Sequence, residues 1–191
     1  NTKKTINCRG NIIDLSKPKV MGILNITPDS FYDGGKYDDI FKIEEHINQM
    51  VSAGVDMIDI GAVSSRPGSK SISEKEEFKR LKPVLDLILK KFEHLIFSLD
   101  TFRSDIAKTA VLDYPVSIIN DISAGQMDQK MYNTISKLNV PYIIMHMQGT
   151  PDNMQKNPQY NHVLNDIVHF FAAKINALKK LGVNDLIFDS A

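Results

Sequence analysis

The sequence predicts an α/β fold of the TIM (β/α)8-barrel type, incomplete in this chain at about six βα units, with an N-terminal β-hairpin. Short apolar runs alternate with longer helical patterns, and each apolar run ends on a polar residue. Nearly continuous apolar strands separated by helices are typical of a parallel sheet that is covered on both faces. The units recur about every 33 residues, so two more would give roughly 255, near the ~250 of a complete barrel. We therefore expect a single domain over residues 1–191 that lacks its C-terminal units.

The predicted elements follow one another from a hairpin to a sixth strand. The segment "TINCRGNIIDL" at 5–15 predicts two short strands around the turn-prone Arg9-Gly10-Asn11. Apolar runs then predict strands at 19–25, 57–61, 95–100, 117–121, 142–147 and 186–189. Helical patterns between them predict helices at 40–53, 73–92, 104–112, 127–138 and 160–181. Successive parallel strands connected in this way need right-handed crossovers.

Capping residues support these helices. Ser73 lies three residues before Glu76, which is the spacing of a capping box, and Ser104 is placed to cap the next helix. Gly54 and Gly182 stand just past helical runs, where glycine commonly ends a helix.

Charge and cysteine content exclude several classes of partner. Lys plus Arg equals Asp plus Glu at 23 each, so no overall positive field attracts nucleic acid or anionic lipid. The single Cys8 excludes an internal disulfide. No segment approaches the ~18 to 20 apolar residues of a membrane span, and the N-terminus does not have the pattern of a signal peptide. We expect a cytoplasmic protein that binds neither nucleic acid nor membrane, and whose anions bind at a local site.

Polar residues at the strand ends predict where the chemistry lies. Each predicted strand finishes on one of them: Asn25, Asp59, Asp100, Asn120 with Asp121, His146 and Asp189. In a closed barrel the carboxyl ends of all strands converge on one mouth, where such barrels keep their active sites. An open doubly wound sheet would bring only a few of them together at one switch point, so the barrel accounts for more of the pattern.

Five motifs occur in an order that is typical of one enzyme family. They are "MGILNITPDSFYDGG", "IDIGAVSSRPG", "FSLDTF", "IINDISAG" and "IIMHMQGTP". Together they resemble the dihydropteroate synthases, folate-pathway enzymes of the pterin-binding barrel superfamily, over nearly the whole chain from Lys19 onward. The resemblance implies a transferase that condenses 6-hydroxymethyl-7,8-dihydropterin diphosphate with p-aminobenzoate to give dihydropteroate and diphosphate, with Mg²⁺ as cofactor.

The resemblance also implies how the pterin and the metal are held. Asn25 matches the family's metal-linked amide, a neutral ligand suited to a Mg²⁺ that keeps several waters and binds substrate phosphates. Asp100, Asn120 and Asp189 match the pterin-holding positions, because a carboxylate accepts two donated bonds while an amide both donates and accepts. Met145 would lie against the flat ring.

The second loop of the family corresponds to Ser65-Arg66-Pro67-Gly68 in this sequence. There the resemblance places the Ser65 hydroxyl and the Arg66 guanidinium near the diphosphate and the p-aminobenzoate, and an arginine fork suits phosphate oxygens. Phe31 and Pro67 match positions that frame the p-aminobenzoate slot. In the family's usual account the C–O bond breaks early, so catalysis would come from Asn25, Arg66 and Asp100 without a protein nucleophile.

The sequence departs from the family pattern in some motifs, and two other functions stay open. The usual Gly-Glu-Ser-Thr before Arg-Pro-Gly is replaced here by Ala-Val-Ser-Ser at 62–65, and the family's later Ser-Arg-Lys and Arg-x-His motifs do not occur in residues 1–191. One alternative is a methyltetrahydrofolate-dependent corrinoid methyltransferase domain, and the other is a non-catalytic pterin-binding fragment. Asp59 and His146 are given no role. Family members are often dimers, so a homodimer is possible.

Overall fold

The described part of the chain alternates strands with helices after an N-terminal hairpin. The computed structural model describes residues 4–26, 36–62, 72–149 and 158–189. The strands are β1 Thr5–Cys8, β2 Asn11–Asp14, β3 Met21–Asn25, β4 Met57–Gly61, β5 Phe97–Asp100, β6 Val116–Asp121, β7 Tyr142–Met145 and β8 Leu186–Asp189. The helices are α1 Lys36–Ser52, α2 Glu74–Lys91, α3 Ser104–Asp113, α4 Met131–Leu138 and α5 Val163–Lys180.

The six strands that follow the hairpin form one parallel sheet. Its order is β3-β4-β5-β6-β7-β8, which is the order of the chain, and every neighbouring pair is parallel. β1 and β2 pair with each other as an antiparallel hairpin. Among the described residues, the predicted hairpin and all six predicted strands are therefore present.

The two faces of the sheet bury different partners. On the helix face, strand residues such as Leu24, Ile60 and Leu99 pack with the helices in one large apolar cluster. On the opposite face, which we call the hairpin face, strand residues pack under the hairpin in a second cluster of Ile6, Cys8, Met57, Ile118 and Ile143. Because side chains alternate along a strand, this second face also carries every other residue up to the strand ends.

Three of the predicted helix ends are confirmed and one is wrong. Ser73 caps α2, and its hydroxyl accepts a hydrogen bond from Glu76 N at 3.2 Å. Gly54 and Gly182 have φ of +87° and +83°, the left-handed conformation that ends a helix. Ser104 does not cap α3. Arg103 does so instead, in an extended conformation and without a side-chain cap bond.

Three helices begin elsewhere than the sequence predicts, and one of them is α5, which begins at Val163 rather than at 160. α1 begins at Lys36 rather than at 40, and the acidic Asp39 in its first turn suits the positive end of the helix dipole.

α4 begins at Met131 rather than at 127, because side-chain hydrogen bonds hold the residues before it in turns. Asp121 Oδ1 accepts from Ser123 N at 2.8 Å, and Asp128 Oδ1 accepts from Lys130 N at 2.9 Å.

Among the described residues, every helix is too short or too polar to span a membrane.

Candidate active site

Polar side chains replace apolar ones where the hairpin face reaches the carboxyl ends of the strands. Asn25, Gly61, Asp100 and Asn120 occupy one register layer across β3, β4, β5 and β6. Met57 and Ile118 lie on the same face nearer the hairpin and are buried in its cluster. The face is thus apolar at one end and polar at the other, as a barrel with its site at the carboxyl ends requires.

Gly61 leaves a gap between two of the predicted site residues. A Cβ at this position would lie 3.4 Å from Asn25 Oδ1 and 3.4 Å from Asp100 Oδ2. The two side-chain oxygens therefore approach the same point of β4 from its two sides. Because β4 presents no side chain here, the point between the two oxygens is open, and a single added methyl group would already be in van der Waals contact with both.

Asp100 is held in a setting that favours its neutral form. Burial, then the charge of Asp59, then that of Asp121 raise the pKa of Asp100 from 3.8 to about 8. A carboxyl group whose pKa is raised in this way is typical of a binding site whose ligand supplies hydrogen-bond donors to the carboxylate.

The stability of the protein should depend on pH through this group. Folded Asp100 keeps its proton up to about pH 8, whereas the unfolded chain loses it near pH 4, so the folded state binds more protons between these values. The free energy of unfolding should therefore fall as pH rises through this window, by at most about 1.4 kcal/mol per pH unit. Urea unfolding of the protein and of Asp100→Asn at several pH values measures the difference. An identical pH dependence of the free energy of unfolding in both proteins would contradict a raised pKa of Asp100.

Asn120 is tied to a second carboxylate on the hairpin face. Its Nδ2 donates to Asp59 Oδ2 at 3.0 Å, two strands away. Asp59 is 7% exposed, and its strand neighbour in register is Ser98. Burial raises the pKa of Asp59, while the Ser98 hydroxyl and the Asn120 amide act in the opposite direction.

Two further predicted residues lie at the far edge of the sheet. Met145 and Asp189 are register partners at the ends of β7 and β8. Both lie on the hairpin face, two residues beyond the layer that contains Asn120. The structure thus brings Asn25, Asp100 and Asn120 together, with Met145 and Asp189 on the same face further along.

Asp121 and His146 belong to the helix face instead. Asp121 accepts hydrogen bonds from the Tyr142 hydroxyl at 2.6 Å and from Gly125 N at 2.8 Å, so it organises the turn after β6. The His146 ring lies edge-on against Phe170 of α5, with 4.9 Å between the ring centroids. Neither side chain lies on the face that carries the candidate site.

A buried ion pair behind the site was not predicted from the sequence. Glu77, in the first turn of α2, is fully buried, pairs with Arg103 and accepts from Thr101 Oγ1 at 2.7 Å. The Arg103 guanidinium also donates to Ile72 O and stacks on the Phe102 ring at 4.6 Å. This cluster fixes the chain that directly follows Asp100. A signal existed, because Glu77 is spaced four and seven residues before the buried positions 81 and 84.

Four predicted site residues, Phe31, Ser65, Arg66 and Pro67, lie outside the described residues. The expected contacts of these side chains with p-aminobenzoate and diphosphate therefore stay predictions.

Comparison with known proteins identifies the class to which this fold and site belong. A family model described as pterin binding enzyme matches residues 21–191, and the chain belongs to this family. A solved Yersinia pestis dihydropteroate synthase in complex with a sulfonamide drug superposes with a TM-score of 0.87 at 38% identity, covering 98% of this chain and 68% of that one. This similarity confirms the predicted barrel fold class.

Relatives in the family carry names from folate synthesis. Dihydropteroate synthase of Escherichia coli K12 is 37% identical over 175 residues, which are 92% of this chain and 61% of that protein. The mitochondrial folate synthesis bifunctional protein of Arabidopsis thaliana is 41% identical over 172 residues, which are 88% of this chain and 31% of that protein. The chain thus spans between 31% and 61% of these relatives' lengths.

Proposed function

We propose that this chain carries the pterin-binding part of a dihydropteroate synthase, a transferase that condenses 6-hydroxymethyl-7,8-dihydropterin diphosphate with p-aminobenzoate. The observation that supports it most is the single layer of Asn25, Asp100 and Asn120 at the carboxyl ends of neighbouring strands. The names of the relatives support the same activity.

Pterin recognition follows from the chemistry of two of these side chains. The aminopyrimidinone edge presents adjacent N–H donors beside an acceptor. A carboxylate at Asp100 would accept two of the donors, and the Asn120 amide would both donate and accept. Binding would also stabilise the ionised form of Asp100, because the ligand supplies hydrogen-bond donors to a carboxylate that burial otherwise destabilises. Asp189 and Met145 extend this surface along the same face.

Mg²⁺ fits the donor set at the gap beside Gly61. Asn25 Oδ1 is a neutral oxygen that borders this gap. The described residues contain no group of three or more His, Cys, Asp and Glu side chains that could hold a metal. One amide oxygen is the kind of ligand that Mg²⁺ uses when waters and substrate phosphates complete its shell. When bound there, the ion would supply charge stabilisation for the diphosphate.

The reaction needs positioning and charge stabilisation but no nucleophile from the protein. The bond between the pterin methylene carbon and the diphosphate oxygen breaks, and diphosphate leaves with the electron pair. The amine nitrogen of p-aminobenzoate forms the new bond to that carbon and gives up a proton. Asp100 and Asn120 would hold the pterin ring in line with the amine, and Arg66 is predicted to stabilise the leaving group.

The proposal is tested by diphosphate release. The protein expressed from its complete coding sequence is given the dihydropterin diphosphate and p-aminobenzoate with Mg²⁺, and diphosphate is measured with either substrate omitted as control. We expect release only when both substrates are present. Pterin binding without release would favour the non-catalytic alternative. Methyl transfer from methyltetrahydrofolate to a corrinoid, without diphosphate release, would favour the methyltransferase.

The remaining expectations about the whole protein are part of the same proposal. Its partners are the two small substrates, its place is the cytoplasm, and a homodimer stays a prediction that a sedimentation measurement can check.

A further inference from the structure

We propose that Asp59 is a positioning residue for the pterin site: by accepting the hydrogen bond of Asn120 Nδ2, it fixes which end of that amide the ligand meets. This inference rests on the proposed function. It concerns a residue that makes no direct contact with the pterin. The charge of Asp59 also raises the pKa of Asp100, but removing that charge would favour the carboxylate form of Asp100 that the pterin needs. A loss of pterin affinity in an Asp59 variant therefore reports its action through Asn120.

The placement of Asp59 suits this task. It lies on the hairpin face of β4, two residues before Gly61 and therefore one layer below the candidate site. Its carboxylate reaches across β5 to the Asn120 amide at 3.0 Å. At 7% exposure it is shielded from water that could replace this bond.

An asparagine in a pterin site needs such a partner. The two ends of its amide are almost equal in size, so sterics alone allow both orientations, but only one offers the acceptor and the donor in the right places. A carboxylate oxygen accepts the bond, so the nitrogen of Asn120 must face Asp59 and Oδ1 must face away. One Nδ2 hydrogen is used in this bond, and the other hydrogen and Oδ1 remain for the ligand.

Asp59→Asn is the direct test because it keeps the size of the side chain and allows the bond in either orientation of Asn120. We expect the KM for the dihydropterin diphosphate to rise about tenfold, the value of one orienting hydrogen bond, with the KM for p-aminobenzoate unchanged. Isothermal titration with the dihydropterin diphosphate alone should show the same loss. If Asp59→Asn does not fold, Asp59→Ser takes its place in the same comparison.

Asp121→Asn is the matched control. Asp121 is also a buried carboxylate; it directly follows Asn120 but lies on the helix face, where its partners are Tyr142 and Ser123. Its replacement should lower the free energy of unfolding without any loss of pterin affinity, because its charge raises the pKa of Asp100 and removing that charge favours the carboxylate form that the pterin needs. An equal loss of affinity in both variants would mean a general effect of destabilisation and would overturn the inference.

A double-mutant cycle separates action through Asn120 from independent action. In an Asn120→Ala background, Asp59→Asn should cause no further loss of pterin affinity. Additive losses would overturn the inference while leaving the proposed function intact. An unsubstituted protein that binds no pterin would overturn the proposed function, and this inference with it.

Discussion

Replacing Asp100 with alanine is expected to abolish pterin binding while the protein stays folded. The variant removes a carboxylate that accepts two bonds from the ring, and charged hydrogen bonds of this kind contribute about 1.5 to 3 kcal/mol each. We therefore expect affinity for the dihydropterin diphosphate to fall at least ~100-fold. Isothermal titration measures this loss, and near-UV circular dichroism checks the fold.

Replacing Asp100 should weaken pterin binding but should not lower the free energy of unfolding at pH 8. The fold itself disfavours ionised Asp100, because burial, Asp59 and Asp121 raise the pKa of Asp100 to about 8. Asp100→Asn, which keeps the side-chain volume, should thus unfold at the same or higher urea concentration at pH 8 and still bind poorly. Unaltered pterin affinity in either variant would remove Asp100 from the site.

Replacing Glu77 with alanine is expected to cause the largest loss of stability. Glu77 is fully buried and pairs with Arg103, so its removal leaves a guanidinium without its counter-charge. Breaking a buried pair from one side typically costs about 3 to 5 kcal/mol. The free energy of unfolding, measured in urea, should fall by this amount. Arg103→Met in the same chain should restore part of it, since an apolar pair of similar volume avoids the unpaired charge.

Glu76→Ala provides the control at the adjacent position of α2. Glu76 is partly exposed and pairs with Arg80 at 3.0 Å along the helix, an arrangement that contributes only about 0.3 to 0.5 kcal/mol. Equal losses of unfolding free energy from Glu76→Ala and Glu77→Ala would show that the buried pair stabilises the fold no more than the pair along the helix.

The positions of most site residues follow from the strand ends alone. Asn25, Asp100 and Asn120 were predicted because each ends an apolar run, and parallel strands bring their ends to the same edge. The structure places these three in one register layer. Their roles toward ligands stay predictions, because the resemblance and not the pattern supplied them.

The face on which a polar residue lies could not be read from the sequence. Asn120 and Asp121 are adjacent and equally polar, yet one belongs to the site and the other to the turn behind it. A shift of one residue in register exchanges the two faces of a strand, and β6 has an irregularity near its start that apolar patterning does not reveal. For the same reason the sequence alone assigns no role to Asp59.

Contacts between residues that are distant in the sequence explain why the cap of α3 and the buried ion pair could not be predicted. Ser104 is a good capping residue by type, but Arg103 takes the cap position beside its ion pair with Glu77, 26 positions earlier in the sequence. Partners so distant in sequence are found only when the chain is folded, and local propensity cannot supply them.

A crystal structure of the protein with the dihydropterin diphosphate bound is the measurement that tests the site most directly. We expect the aminopyrimidinone edge to lie within ~3 Å of both Asp100 and Asn120, on the hairpin face at the carboxyl ends of β5 and β6. A pterin bound on the helix face, or beyond reach of these two side chains, would rule out the proposed site.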